Sequence, residues 1–193
     1  MSYTEVYRFG KDGKARLAGE ARNSHGFAPY IWQKLGEKYG ILRKGEPYFD
    51  KTEQIWALFA NDSTEFNDRI VLGTTFDDIV VPKEGLHIVI EALQKFIEEF
   101  PYNTQGCTAQ DDTFLVRLPE RVIEELAKGT INLLIEILQA ELENPETIAI
   151  AFNVTSVNDG VWEVCHQGKN GHWYRRAYNL KTDSRHHFLL QKK

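Results

Sequence analysis

The chain reads as an α+β fold, with helices packed on a largely antiparallel sheet built from hairpins, and three observations predict it. Two β-prone runs, Tyr3 to Phe9 and Ala15 to Ala21, flank Lys11-Asp12-Gly13-Lys14, and Asp-Gly between such runs is a strong hairpin signal. Val161 to His166 and His172 to Tyr178 repeat that arrangement around Gly168-Lys169-Asn170-Gly171. Between the two, Leu86, Val89, Ile90, Leu93, Phe96, Ile97 and Phe100 recur at spacings of three and four, as in a helix that buries one face. Hairpins outnumber strand–helix–strand crossovers, which favours an antiparallel sheet with the helices laid against it.

Taken in order, the first hairpin leads into a helix. Ser24 is placed to cap it, Pro29 is tolerated in its first turn, and Phe27, Ile31 and Leu35 with Ala28, Trp32 and Tyr39 form its apolar face before Gly40 stops it. Residues 41–53 read as a loop and Gln54 to Ala60 as a compact aromatic strand. Asp68 to Thr74 and Asp78 to Val81 read as a further strand pair around Thr75-Phe76-Asp77, closed by Pro82 ahead of the long helix that Pro101 ends. Phe114 to Leu118 is a short strand, and Pro119 opens a helix carrying Val122, Ile123 and Leu126 that Gly129 breaks. A separate helix then carries Ile131, Leu134, Ile135, Leu138 and Leu142. Thr147 to Val154 is a β-branched, buried strand, and Asn158-Asp159-Gly160 is a turn before the last hairpin. One domain over 1–193 accommodates these elements, and the repeated hairpin-then-helix order suggests a duplication around residue 61.

With 193 residues, 42% hydrophobic and 26% charged, the chain has the composition of a globular domain with a real core. The opening residues lack a signal-peptide pattern and no apolar stretch approaches the roughly 20 residues of a membrane span. A cytoplasmic protein with no membrane association is the expectation, and Cys107 and Cys165 are then reduced, inert thiols. The net charge of −5 is unevenly spread: residues 1–60 hold 10 Lys/Arg against 7 Asp/Glu, residues 91–147 hold 4 against 12, and residues 161–193 hold 7 against 2. Basic ends and an acidic middle fit a nucleic-acid face, an acidic decoy surface, or packing of one region on another.

The nucleotide loop GxxxxGK[ST], the GxSxG elbow, HExxH, paired CxxC and GxGxxG are all missing. Four constellations remain. Arg22 and His25 flank the start of the first helix, where the dipole and free backbone N–H groups receive an anion. Cys165, His166, His172, His186 and His187 are metal-ligand types without a zinc spacing, so no metal or cofactor is expected. In His172 to Tyr178, aromatics interleave with arginines: Trp173 and Arg175 share one strand face and Arg176 takes the other. Such a strand suits a protein-binding edge or stacked single-stranded nucleic acid. Asp77-Asp78, Asp111-Asp112 and the helix residues Glu120, Glu124, Glu125, Glu136, Glu141 and Glu143 supply acid. The aspartate pairs suit Mg²⁺ or acid–base work, while the glutamates lie opposite their apolar stripes as solvated faces.

Tyr7, Leu17-Ala18-Gly19, Arg22 and His25 resemble, in order alone, the GIY-YIG nuclease family, in which tyrosines, an arginine and a histidine surround a metal-assisted phosphodiester attack. Neither tripeptide of that family stands here, Arg22 follows Gly19 by three residues, and no glutamate takes the catalytic place. The stretches "DRIVLGTTFDDIVVPKEGLHIVIEALQKFIEEF" and "YRFGKDGKARLAGEARNS" through "IWQKLGEKYG" are similar in texture to small uncharacterised bacterial and phage- or prophage-borne proteins. That resemblance implies a mobile-element origin and assigns no activity. The expectation is a non-enzymatic binding or regulatory protein acting through a protein partner, with self-association left open. The alternatives are nucleic-acid binding through residues 172–178 and a metal-assisted hydrolase using Asp77 and Asp78.

Overall fold

The computed structural model describes residues 3–22, 27–100, 120–154 and 162–189, with backbone alone at 3, 21, 22 and 120–127. Ser24, Cys107, the Asp111-Asp112 pair, the Phe114 to Leu118 strand and the Asn158-Asp159-Gly160 turn fall outside them.

Tyr3–Gly10 (β1) and Ala15–Arg22 (β2) form the expected antiparallel hairpin, Tyr3 opposite Arg22 and Phe9 opposite Ala15, with a bulge between Val6 and Tyr7. Gly13 turns it at φ 79°, a left-handed conformation that costs glycine nothing. Phe27–Lys38 is α1, and Gly40 follows it at φ 69°. A turn of 3-10 helix at Phe49–Lys51 leads into α2, Thr52–Ala57, and α3 spans Phe66–Gly73. Then come β3 (Ile79–Pro82), α4 (Leu86–Glu99), α5 (Glu120–Glu143) and β4 (Thr147–Asn153). Glu163–Gln167 (β5), Trp173–Ala177 (β6) and His187–Phe188 (β7) complete the chain order.

Five strands join in the order β2-β1-β4-β3-β7. Every pairing is antiparallel except β3 with β7, which is parallel. The fold is α+β, helices on a mostly antiparallel sheet. Strand alternation sends successive side chains to opposite faces. Val6, Val81, Ile150 and Phe152 enter the helical core beside Ile31, Leu93 and Leu134. Phe9, Val80, Ala149 and Ala151 face the other way and meet Trp162 and Tyr178. Gly19 lets α5 lie close on β2: a Cβ there would stand 2.8 Å from Ile137 Cδ1.

Three expectations are corrected. Gln54 to Ala60 is α2 plus a 3-10 turn rather than a strand; Ile55 and Leu58 are buried while Trp56 and Ala57 are exposed, so burial follows the helical period. Asp68 to Thr74 is helix α3: Ile70, Val71, Leu72 and Gly73 are all buried, and a helix covered on every side shows no stripe to distinguish it from a buried strand. The second supposed hairpin-then-helix is thus helix–strand–helix, and the duplication around residue 61 has no counterpart in the element order. Gly129 does not divide two helices, because α5 runs through it without a break. Its position is exposed, and a Cβ there would meet nothing within 4 Å. Gly129→Ala is therefore expected to raise stability by about 0.5–1 kcal/mol through helix propensity alone, read as a higher urea midpoint at unchanged slope. A loss of stability would mean that this turn of α5 is strained.

Candidate functional site

The second hairpin carries two exposed aromatic rings, Trp173 and Tyr174. Gly171, at φ 79°, closes its turn, Gly168 donates its N–H to the His172 carbonyl at 2.8 Å, and Asn170 Nδ2 donates to the Tyr174 hydroxyl at 2.6 Å. Cys165 stands opposite Arg175, His166 opposite Tyr174 and Gln167 opposite Trp173. Opposed residues share a face, so Trp173, Arg175, Cys165 and Gln167 line one side, and Tyr174, His166, Arg176 and Val164 the other. Trp173 is 70% exposed and Tyr174 44%. His166 stacks on Tyr174, with ring centroids 5.8 Å apart. From Cys165 through Arg176 both strands are open to solvent on both faces.

The root of the hairpin is fixed where its tip is free. Trp162 is buried, donates its indole N–H to the Phe152 carbonyl at 2.9 Å, and packs edge-on against Phe9 and Tyr178. Tyr178 accepts the Arg185 backbone N–H at 2.7 Å, bonds His186 Nδ1 at 2.9 Å and lies under the Arg185 guanidinium. Burial holds the His186 imidazole below its usual pKa, with His187 adding to the effect.

The two predicted arginines separate. Arg176 makes a bidentate pair with Asp183 at 2.8 and 2.7 Å; that hydrogen bonding first, and the Asn179 N–H after it, lowers the Asp183 carboxyl to about 2. Among the described residues Arg175 pairs with Glu163 alone, at 3.5 Å, and it remains mostly exposed. Arg22 closes β2 opposite Tyr3, but its side chain and all of His25 lie outside what the structure describes, and the expected anion site at the start of α1 lies there with them.

The acidic pair acts as a clasp. Asp77 Oδ1 accepts the Val154 N–H at 2.6 Å, and Asp78 accepts the His187 N–H on its carbonyl at 2.8 Å, with its carboxylate 3.7 Å from His187 Nε2. Glu141, expected on a solvated face, is instead buried, accepting the Thr147 hydroxyl and Asn144 Nδ2 near Arg8. Among the described residues no cluster of three or more His, Cys, Asp or Glu side chains is arranged to hold a metal ion, and no helix is long and apolar enough to cross a membrane.

A constellation that no motif announces centres on Lys38. Its ammonium lies 2.6 Å from Glu99, 2.9 Å from Asp68 and 3.3 Å from Glu65. Tyr39 donates to Asp68 at 2.6 Å and accepts the Glu65 N–H, and burial with that bond pushes its hydroxyl up to about 12. Nothing local could reveal it, because the four partners come from α1, α3, its entry and α4.

Fold and site together define a small α+β protein that presents a rigidly rooted aromatic hairpin. Against protein-family profiles, curated protein sequences and solved structures alike, the chain has no match.

Proposed function

We propose that the chain is a non-enzymatic binding or regulatory protein of the cytosol that engages a protein partner through the β5–β6 hairpin. The observation that carries the reading is Trp173 beside Arg175 on one open hairpin face, the tryptophan 70% exposed. Trp, Tyr and Arg dominate the energetics of protein interfaces, and Trp173, Tyr174 and Arg175 follow one another, all exposed, on a strand whose root is buried.

Charge separates this from the nucleic-acid reading. Holding a phosphate backbone calls for several unneutralised cations, whereas Arg176 is tied to Asp183, leaving Arg175 and the turn residue Lys169 on the hairpin. What favours nucleic acid as the second reading is the same Trp173–Arg175 adjacency, which suits a stacked base.

Affinity capture from the native host with wild type, Trp173→Ala and Arg175→Glu, paired with titration of single-stranded DNA and RNA oligonucleotides, tests both. A protein retained by wild type and weakened about 30-fold or more by Trp173→Ala is the expected result, corresponding to a hot spot of about 2 kcal/mol. Oligonucleotide binding that falls steeply with salt and disappears in Arg175→Glu would replace this reading with the second.

A further inference from the structure

On the helical side of the sheet, four aromatic rings form a continuous patch. Trp32 contacts Tyr48 at 5.7 Å and Trp56 at 5.5 Å between centroids, both edge-on, and Tyr48 lies 4.4 Å from Phe49. Behind them Trp56 meets Phe76 at 6.2 Å. The outer members are open: Phe49 is 72% exposed and Trp56 40%. The inner Trp32 is pinned, since its indole donates to Thr75 Oγ1 at 3.0 Å and Thr75 in turn donates to the Leu72 carbonyl. Such a surface is set before anything lands on it, which lowers the ordering cost of binding.

The free side-chain charge within Phe49–Trp56 is acidic. Nearby, Glu46 pairs with Lys51, Asp62 with Arg69, and Glu65 and Asp68 with Lys38, which leaves Asp50 and Glu53. Lys51 is engaged by Glu46 and the Ile41 carbonyl. Glu53 lies three residues before Trp56 on α2, hence on the same helical face, and Asp50 follows Phe49 directly. Both carboxylates are exposed and make no ion pair with a described residue. Aromatic faces and free carboxylates attract the same ligand: a cation held over a ring by its quadrupole and paired at its edge.

We propose that the Phe49–Glu53–Trp56 patch is a docking surface for a partner protein segment that carries an arginine or lysine between apolar residues. The apolar neighbours cover the rings, and the cationic head reaches Glu53 or Asp50. This surface is separate from the β5–β6 hairpin, which lies beyond the opposite sheet face.

Three fluorescein-labelled Gly/Leu peptides, identical except for Arg, Glu or Ser at the same two positions, test it by anisotropy on the full chain. The Arg peptide is expected to bind roughly tenfold or more tightly than the other two. Trp56→Ala and Phe49→Ala should weaken it by about tenfold, and Glu53→Lys should transfer the preference to the Glu peptide. Trp173→Ala should leave it unchanged, so a failed hairpin reading and a failed patch are told apart. These residues are exposed, and unchanged circular dichroism certifies each variant. Absence of saturable Arg-peptide binding, or a preference indifferent to Glu53→Lys, overturns the proposal. Self-association in sedimentation velocity that Trp56→Ala abolishes overturns it too, by placing a second copy on the patch.

Discussion

Trp162→Ala is expected to destabilise the protein by about 3–5 kcal/mol, the range for removing a buried aromatic side chain. Trp162 sits under the sheet face opposite the helical core, edge-on to Phe9 at 5.4 Å and Tyr178 at 5.2 Å, with its indole N–H on the Phe152 carbonyl. Truncation removes the ring, leaves a cavity against Ala149 and Ala151, and strips the carbonyl of a partner. Trp162→Phe keeps most of the apolar volume, so it should cost clearly less. Urea unfolding followed by far-ultraviolet circular dichroism measures both. A loss under about 1 kcal/mol for the alanine variant would mean that this face collapses freely and does not root the hairpin, leaving the Trp173 surface without its scaffold.

The second large effect lies on the opposite side of the sheet. Lys38→Met should cost about 3–5 kcal/mol, because it leaves Asp68 buried with its charge uncompensated beside Glu65 and Glu99. Burial pushes the Lys38 ammonium down, but its bonds to Glu99 and Asp68 outweigh that and hold its pKa above the usual lysine value. A raised lysine contributes in full below its unfolded pKa of about 10.4 and loses its contribution only as pH climbs past that. The lysine's own part of the gap between wild type and Lys38→Met should therefore stay level up to about pH 9. Adding Asp68→Leu should recover most of the loss, since a charge removed together with its partner is far cheaper than an orphaned one. The Tyr39 hydroxyl, deprived of its acceptor, accounts for about 1 kcal/mol that does not return. If the double variant is no more stable than the single one, the cluster is held by packing and not by compensation.

These sites differ in how far the sequence announces them. Both hairpins and α4 are legible, because turn chemistry and a one-sided apolar stripe are written within a few residues of where they act. The exposed Trp173–Arg175 pair follows from strand alternation in the same way. Arg176 was expected to be as available as Arg175; its capture depends on Asp183, which only the path after β6 brings back. α3 and Gln54 to Ala60 carry the aromatic and β-branched residues of strands, and tertiary packing overrides that local preference. β7 has two residues and pairs in parallel with a strand far earlier in the chain, so no local pattern marks it. Phe49 and Trp56 are invisible for a different reason: composition does not distinguish an aromatic side chain that fills a core from one that covers it.

The sheet order also sets a timetable. β4 is the strand between β1 and β3, yet it is translated after both, and after α4 and α5. Until residues 147–153 are synthesised, the β1–β2 hairpin and β3 belong to no common sheet, and the edges that β4 will cover stand open. Such edges template wrong pairings, and pairings across long sequence separation form slowly. The nascent chain is thus most prone to aggregate just before its central strand arrives, and that one late insertion joins its halves.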